Sequence, residues 1–187
     1  MTRLRAANPG KTVEVWTQGE ARPGLKPTVR RVWWVRGQRP LSCGRTKSAW
    51  WEVYGSPRPA TGQTLTLRLP RVTVEPRAKA VAASAAHADP NGTPSRMRVV
   101  DDAGRHRASR LVVPRNVRWH VPPPCTPERQ PIEAFGPLVR EAVANDTFDR
   151  RSDLRRRITR RCGWLVRNPD VAKAAVGFHW AVKLETQ

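Results

Sequence analysis

The chain has 187 residues, enough for one domain with a full-sized core, and a hydrophobic content of 39% excludes wholesale disorder. Thirty-five Lys and Arg against 15 Asp and Glu leave a net charge of +20, most of the cations being arginine, with a sequence pI near 11.7. Such an excess self-repels unless a polyanion screens it, and arginine's planar fork suits phosphate, so the charge points to nucleic acid rather than to a plain solvated basic surface.

In chain order, residues 1 to 12 are polar and read as a disordered leader, with the folded domain expected over 13 to 184. Val13 to Thr17 is a short β-prone run. Glu20 to Arg31 carries Pro23, Gly24 and Pro27 and reads as a loop. Val32 to Val35 is a strand candidate, Gly37 to Pro40 a turn, and Ala49 to Tyr54 a third strand. Pro59 to Gly62 is a turn signal before Leu65 to Leu69, which alternates apolar and polar residues. Strands joined by tight turns suggest an antiparallel meander. Trp33, Trp34, Trp50 and Trp51 are expected to pack in the core or on the sheet, with base stacking as the alternative.

The pattern then changes. Glu75 to Ala88 is alanine-rich and helix-prone, and Asp89 to Ser95 breaks it. Met97 to Val100 and Val117 to Val121 are buried-type strands. From Pro131, which suits a first helical position, Ile132, Phe135, Leu138, Val139, Ala142 and Val143 fall on one arc. Pro137 costs this helix a hydrogen bond and predicts a kink. Asp149 or Ser152 can cap a second helix, with Leu154, Ile158, Cys162 and Leu165 on one face, and Asn168-Pro169 stops it. Val171 to Leu184 is expected to form a last short helix. This order predicts an α/β domain with a mixed sheet flanked by helices, of the ribonuclease H-like kind.

No apolar run approaches the roughly 18 residues of a membrane span. Cys43, Cys125 and Cys162 are too far apart for a zinc knuckle and, with no secretory signal in view, predict reduced thiols in a cytoplasm.

The most informative stretch is Val99 to Glu133. One apolar run ends at Asp101, a second runs to Val121, and Glu133 follows in the first turn of a helix. Two acids at the ends of separate elements can converge on one divalent cation. Taken alone, Asp101 could as well be a solvated acid after a strand, and Glu133 a residue that stabilises the helix dipole.

These residues resemble the catalytic core of the DDE transposases, in the mariner-type group of bacterial insertion sequences (the IS six-thirty group). VVDDAGRH is similar to that family's second block, with Asp101 in the metal-ligand place and His106 closing it. PPCTPERQPIE is similar to the third block, with Glu133 in the catalytic place. The 31 residues between the two acids suit the group. VWTQGEARPGL, VRGQRP, PATG, LPRV and GFHW extend the resemblance over about residues 13 to 181. The resemblance implies DNA cleavage and strand transfer with Mg²⁺ or Mn²⁺, held by Asp101 and Glu133, and DNA as partner in a nucleoid-associated cytoplasmic protein. It leaves open a homodimer or a separate DNA-binding chain. Such transposases carry a helix-turn-helix region before the first strand. None is visible ahead of Val13, so that region is expected to be absent or encoded elsewhere.

The departures matter. The family's first block carries its first catalytic Asp where this chain has Gly19. Glu20 should point to the opposite face of the strand, and Thr17 and Ala21 carry no carboxylate. Arg105, Pro23, Cys125, Pro122 and Arg129 also replace aromatic or apolar residues of the blocks. The expectation is a degenerate catalytic domain with weak metal binding and impaired chemistry, since paired metals need ligands from all three acids. The alternatives are an active half working in trans with a DNA-binding chain, and a non-enzymatic basic nucleic-acid-binding protein. Arg155, Arg156, Arg157, Arg160 and Arg161 either line DNA backbone or solvate their helix. His106 is a further phosphate or metal-shell contact, or a plain structural histidine. His87, His120 and His179 fit no ligand spacing.

Overall fold

A computed structural model describes residues 6, 9–10, 13–26, 29–39, 49–69, 95–99, 117–123 and 126–186. Six strands are seen among them: β1 (Val13–Thr17), β2 (Gly19–Ala21), β3 (Glu52–Pro57), β4 (Thr64–Leu69), β5 (Ser95–Val99) and β6 (Val117–His120). Four helices follow: α1 (Pro131–Arg140), α2 (Arg151–Arg167), α3 (Pro169–Val176) and α4 (His179–Thr186).

β1 pairs parallel with β5, and β5 parallel with β6. β2 pairs antiparallel with β3, and β3 antiparallel with β4. Only Gln18 separates β1 from β2, and it does not part the two ladders. Its N–H donates to the Val99 carbonyl at 3.1 Å. On the other side the Ser56 hydroxyl donates to the Thr17 carbonyl at 3.1 Å, and Thr17 Oγ1 donates to the Pro57 carbonyl at 3.4 Å. Two three-stranded sheets, antiparallel β2-β3-β4 and parallel β1-β5-β6, thus meet at Gln18 in a ribonuclease H-like arrangement.

Side chains alternate across the strands. Ala21 and Val53 face a core built with Ile132, Phe135 and Val139 of α1, Leu154, Ile158, Cys162 and Leu165 of α2, and Ala172 and Val176 of α3. Val15 and Val99, farther along the same face, pack against Trp180 and Leu184 of α4. Tyr54, Leu67 and Trp119 form a smaller cluster of their own. The end of α4 is tied down through Glu185, which accepts from Val15 N–H at 3.0 Å and from Arg58 Nε at 2.8 Å. Arg58 also reaches Glu14 at 3.0 Å.

The helical period of the terminal third is confirmed, and several sequence-based boundaries are corrected. Gly19–Ala21 is a strand, not the start of a loop, because β3 supplies a ladder partner that no local preference announces. Val32 to Val35 is not a strand: it is exposed, and among the described residues no strand pairs with it. The third strand begins at Glu52 and runs to Pro57, while Trp50 makes only an isolated bridge to Gly24. α1 continues through Pro137 and tightens into a 3-10 turn at Glu141–Val143. Neither Asp149 nor Ser152 is the N-cap of α2; Arg150 is. The last helix is two, α3 and α4, divided at Gly177 and Phe178. The alanine-rich segment from Glu75 to Ala88 lies outside the described residues. No described helix is long and apolar enough to cross a membrane.

Candidate functional site

The site is built where α1 crosses the strands. Gly19 on β2 and Gly55 on β3 are direct cross-strand partners. Two glycines opposite one another leave a shallow depression in the sheet, and α1 presses into it. A Cβ on Gly19 would stand 2.7 Å from Ile132 Cγ1, and one on Gly55 would stand 2.8 Å from Phe135 Cε1. Both glycines are there for close approach of a helix, since neither has the positive φ that only glycine tolerates well.

This seat fixes the first turn of α1. Pro131 stands at the first helical position, and the Glu133 N–H donates to the Gln130 carbonyl at 3.0 Å. Ile132 points into the core, so Glu133, one residue on, is exposed at the helix edge. Glu133, Gly136 and Arg140 lie at helical spacings along that edge and line a cleft of about 340 Å³ with Gly19, Glu20, Arg22 and Ile132. Arg22 is held by Glu52 at 3.1 Å, and Glu52 also accepts from Trp50 Nε1 at 3.0 Å.

The parallel sheet ends beside this cleft. Thr17, Val99 and His120 are in register across β1, β5 and β6, and Gln18 bonds Val99 directly. The structure therefore brings Gly19, Glu133 and the end of β5 to one region. Asp101, two residues past Val99, lies outside the described residues, as do His106, His87, Cys43 and Cys125. Glu20 pairs with Tyr54 on β3 and lines the same cleft as Glu133.

Among the described residues the cleft is lined by two carboxylates, Glu20 and Glu133, and no group of three or more His, Cys, Asp or Glu is arranged to hold a metal. Position 19 adds no side-chain oxygen to it.

The arginines of α2 divide by what they touch. Arg161 donates to the Leu138 carbonyl at 2.8 Å and to Glu141 at 2.7 Å, and lies 4.6 Å from the Trp164 ring centroid. Arg155 and Arg151 sit over Trp51 at 5.2 and 4.7 Å. Arg156 pairs with Asp153 at 2.9 Å and Arg157 with Asp146 at 2.7 Å. Arg160 is exposed on the same helix. On the buried face of α2, burial pushes the Cys162 thiol above its ordinary pKa, against the Thr66 hydrogen bond and the Arg68 and Arg161 charges, which lower it.

Of Trp33, Trp34, Trp50 and Trp51, Trp51 alone meets the packing expectation, resting against the main core. Trp33, Trp34 and Trp50 are exposed, which the sequence reading missed. Their neighbours Arg30, Arg31, Arg36 and Arg39 were the available signal: an apolar run interleaved with charge rarely finds a core.

No family model and no curated protein matches the chain. Solved structures do. A paired-end complex of Mos1 transposase with the left transposon end matches at a TM-score of 0.52 and 14% identity, over 94% of this chain and 59% of that one. The Mos1 mariner paired-end complex with Mn matches at 0.52 and 15% identity, over 88% and 56%. A pre-cleavage Mos1 transpososome matches at 0.50 and 13%, over 94% and 59%. The chain thus spans somewhat over half the length of the solved chains it resembles. At these identities the likeness is one of fold: the chain carries a ribonuclease H-like fold similar to that of the Mos1 structures.

Proposed function

We propose that this chain is a DDE transposase catalytic domain that holds DNA but has lost the first of its three metal-binding acids, and with it efficient cleavage and strand transfer. The observation that carries the reading is the seat of α1. Glu133 stands at the lip of the cleft, while the strand position opposite its turn is a glycine with Ile132 lying over it. Asp101 is the second acid by its motif and its place two residues after β5. Two acids can hold one Mg²⁺ or Mn²⁺ weakly; a bridged pair requires the third. The Mos1 structures of similar fold are DNA complexes, one of them with Mn, which supports DNA as the partner and a divalent cation as the ancestral cofactor. The +20 charge supports the same partner.

The test is Mn²⁺-dependent nicking of supercoiled plasmid. The native chain is expected to bind the plasmid and leave it unnicked above the Glu133→Gln background. Because Ile132 occupies the space over position 19, Gly19→Asp is assayed both alone and with Ile132→Ala. Robust nicking by the native chain, abolished in Glu133→Gln, refutes the loss of activity. Failure to bind plasmid at low salt refutes the partner.

A further inference from the structure

The segment 29–39, VRRVWWVRGQR, is exposed at every residue, and it holds five of the eight exposed large hydrophobic side chains among the described residues. Trp33 is 101% exposed, Trp34 56% and Val35 64%. Soluble surfaces rarely leave two adjacent indoles in water without a use. The strip is nevertheless held in place. The Arg30 N–H donates to Asn145 Oδ1 at 2.8 Å, and Asn145 Nδ2 donates back to the Arg30 carbonyl at 3.0 Å. At its far end Gln38 N–H bonds the Val35 carbonyl at 3.1 Å, with Gly37 at φ 84°, the positive value a type II turn needs at that position. Asn145 also anchors the strip beside the arginine face of α2, because its neighbour Asp146 accepts from Arg157 at 2.7 Å.

We infer that Trp33 and Trp34 form a stacking platform for unpaired bases, with Arg30, Arg31, Arg36 and Arg39 following the phosphates of the same single strand. Charge complementarity selects the occupant. The segment carries four arginines and no acid, so its cationic indole strip suits a polyanion whose every unit has a π-face. Stacking needs bases outside a duplex and is tolerant of sequence. The inference does not use the cleft acids, and it stands or falls apart from the loss of cleavage.

The experiment is anisotropy of the full chain with labelled dT15 and with a 15-mer of abasic sugar phosphates of equal charge. The native chain is expected to prefer dT15 by about tenfold. Trp33→Ala/Trp34→Ala should remove that preference while keeping the abasic affinity, and Trp33→Phe/Trp34→Phe, which retains π-faces, should restore much of it. Equal affinity of the native chain for the two oligomers overturns the inference, and so does a double-alanine variant that keeps the preference. Sedimentation covers the rival occupant. A native dimer that Trp33→Ala splits, with dT15 preference unchanged, would make the strip a contact between two copies and refute the platform.

Discussion

Ile132 lies over Gly19, so that a Cβ at position 19 would come within 2.7 Å of Ile132 Cγ1. One contact therefore links position 19 to the packing of the helix that carries Glu133. The space a carboxylate stem would need is filled by an apolar side chain on the next element. Gly19→Ala should cost about 1–3 kcal/mol by overpacking. Ile132→Ala should cost about 2–5 kcal/mol by loss of a buried side chain. The double variant should be less destabilised than the sum, by a coupling of at least about 0.5 kcal/mol in urea melts. Strict additivity would show that the two residues do not compete for one space.

Arg161 and Arg160 are neighbours in sequence with different work. Arg161 caps the end of α1 through Leu138 and Glu141 and covers Trp164. Arg161→Ala should lower stability by about 1–2 kcal/mol, whereas Arg160→Ala should stay within about 0.5 kcal/mol. Thermal melts of the two variants decide it, and equal effects would contradict the division.

DNA binding should weaken steeply with salt. If about six arginines neutralise phosphates, log K against log salt should slope near −5, and Arg160→Ala should reduce the slope by about one unit. Filter binding from low to moderate salt measures this. A flat dependence removes the phosphate contacts from the account.

The half-buried Arg58 joins Glu14, Glu185 and the start of β1 to the end of α4. Its guanidinium is 17% exposed and the Glu185 side chain 8%, so removing one partner strands the other. Arg58→Met should cost about 3–5 kcal/mol. Faster hydrogen exchange in α4 than in α2 would locate the damage, and uniform loss of protection would instead mean a global effect.

Cys162 makes stability depend on alkaline pH. Its thiol is raised in the folded state, so above the ordinary thiol value of about 8.5 the unfolded chain loses a proton that the folded chain keeps. That contribution is complete below the ordinary value and is lost as pH rises through the folded one. Cys162→Ala should show a shallower loss of stability above about pH 8.5 than the native chain in urea melts. A steeper loss would reverse the assignment.

Local patterning made much of the helical third legible. Pro131 as a start, the Ile132–Phe135–Val139 arc, the Leu154–Ile158–Cys162–Leu165 stripe and the Asn168-Pro169 stop all rest on contacts within a few residues. The same is true of Glu133, which the helical period sets at the edge of that arc. The pairing of Gly19–Ala21 with β3 was not legible, because GEARPG has turn composition and Glu20 onward reads as a loop until β3 lies alongside. The tryptophan run failed for the converse reason. VWWV has every local mark of a strand, and a strand without a partner is only an exposed ribbon.

By itself, then, the sequence determined the basic charge, the helical faces of the terminal third and the glycine at position 19. Each of these depends on near neighbours or on composition. Only the tertiary structure decided that Gly19 faces Gly55, that Ile132 fills the space above them, and that Trp33 and Trp34 stay in water. Those outcomes depend on which distant segments share a surface, and side-chain period alone carries no information about that.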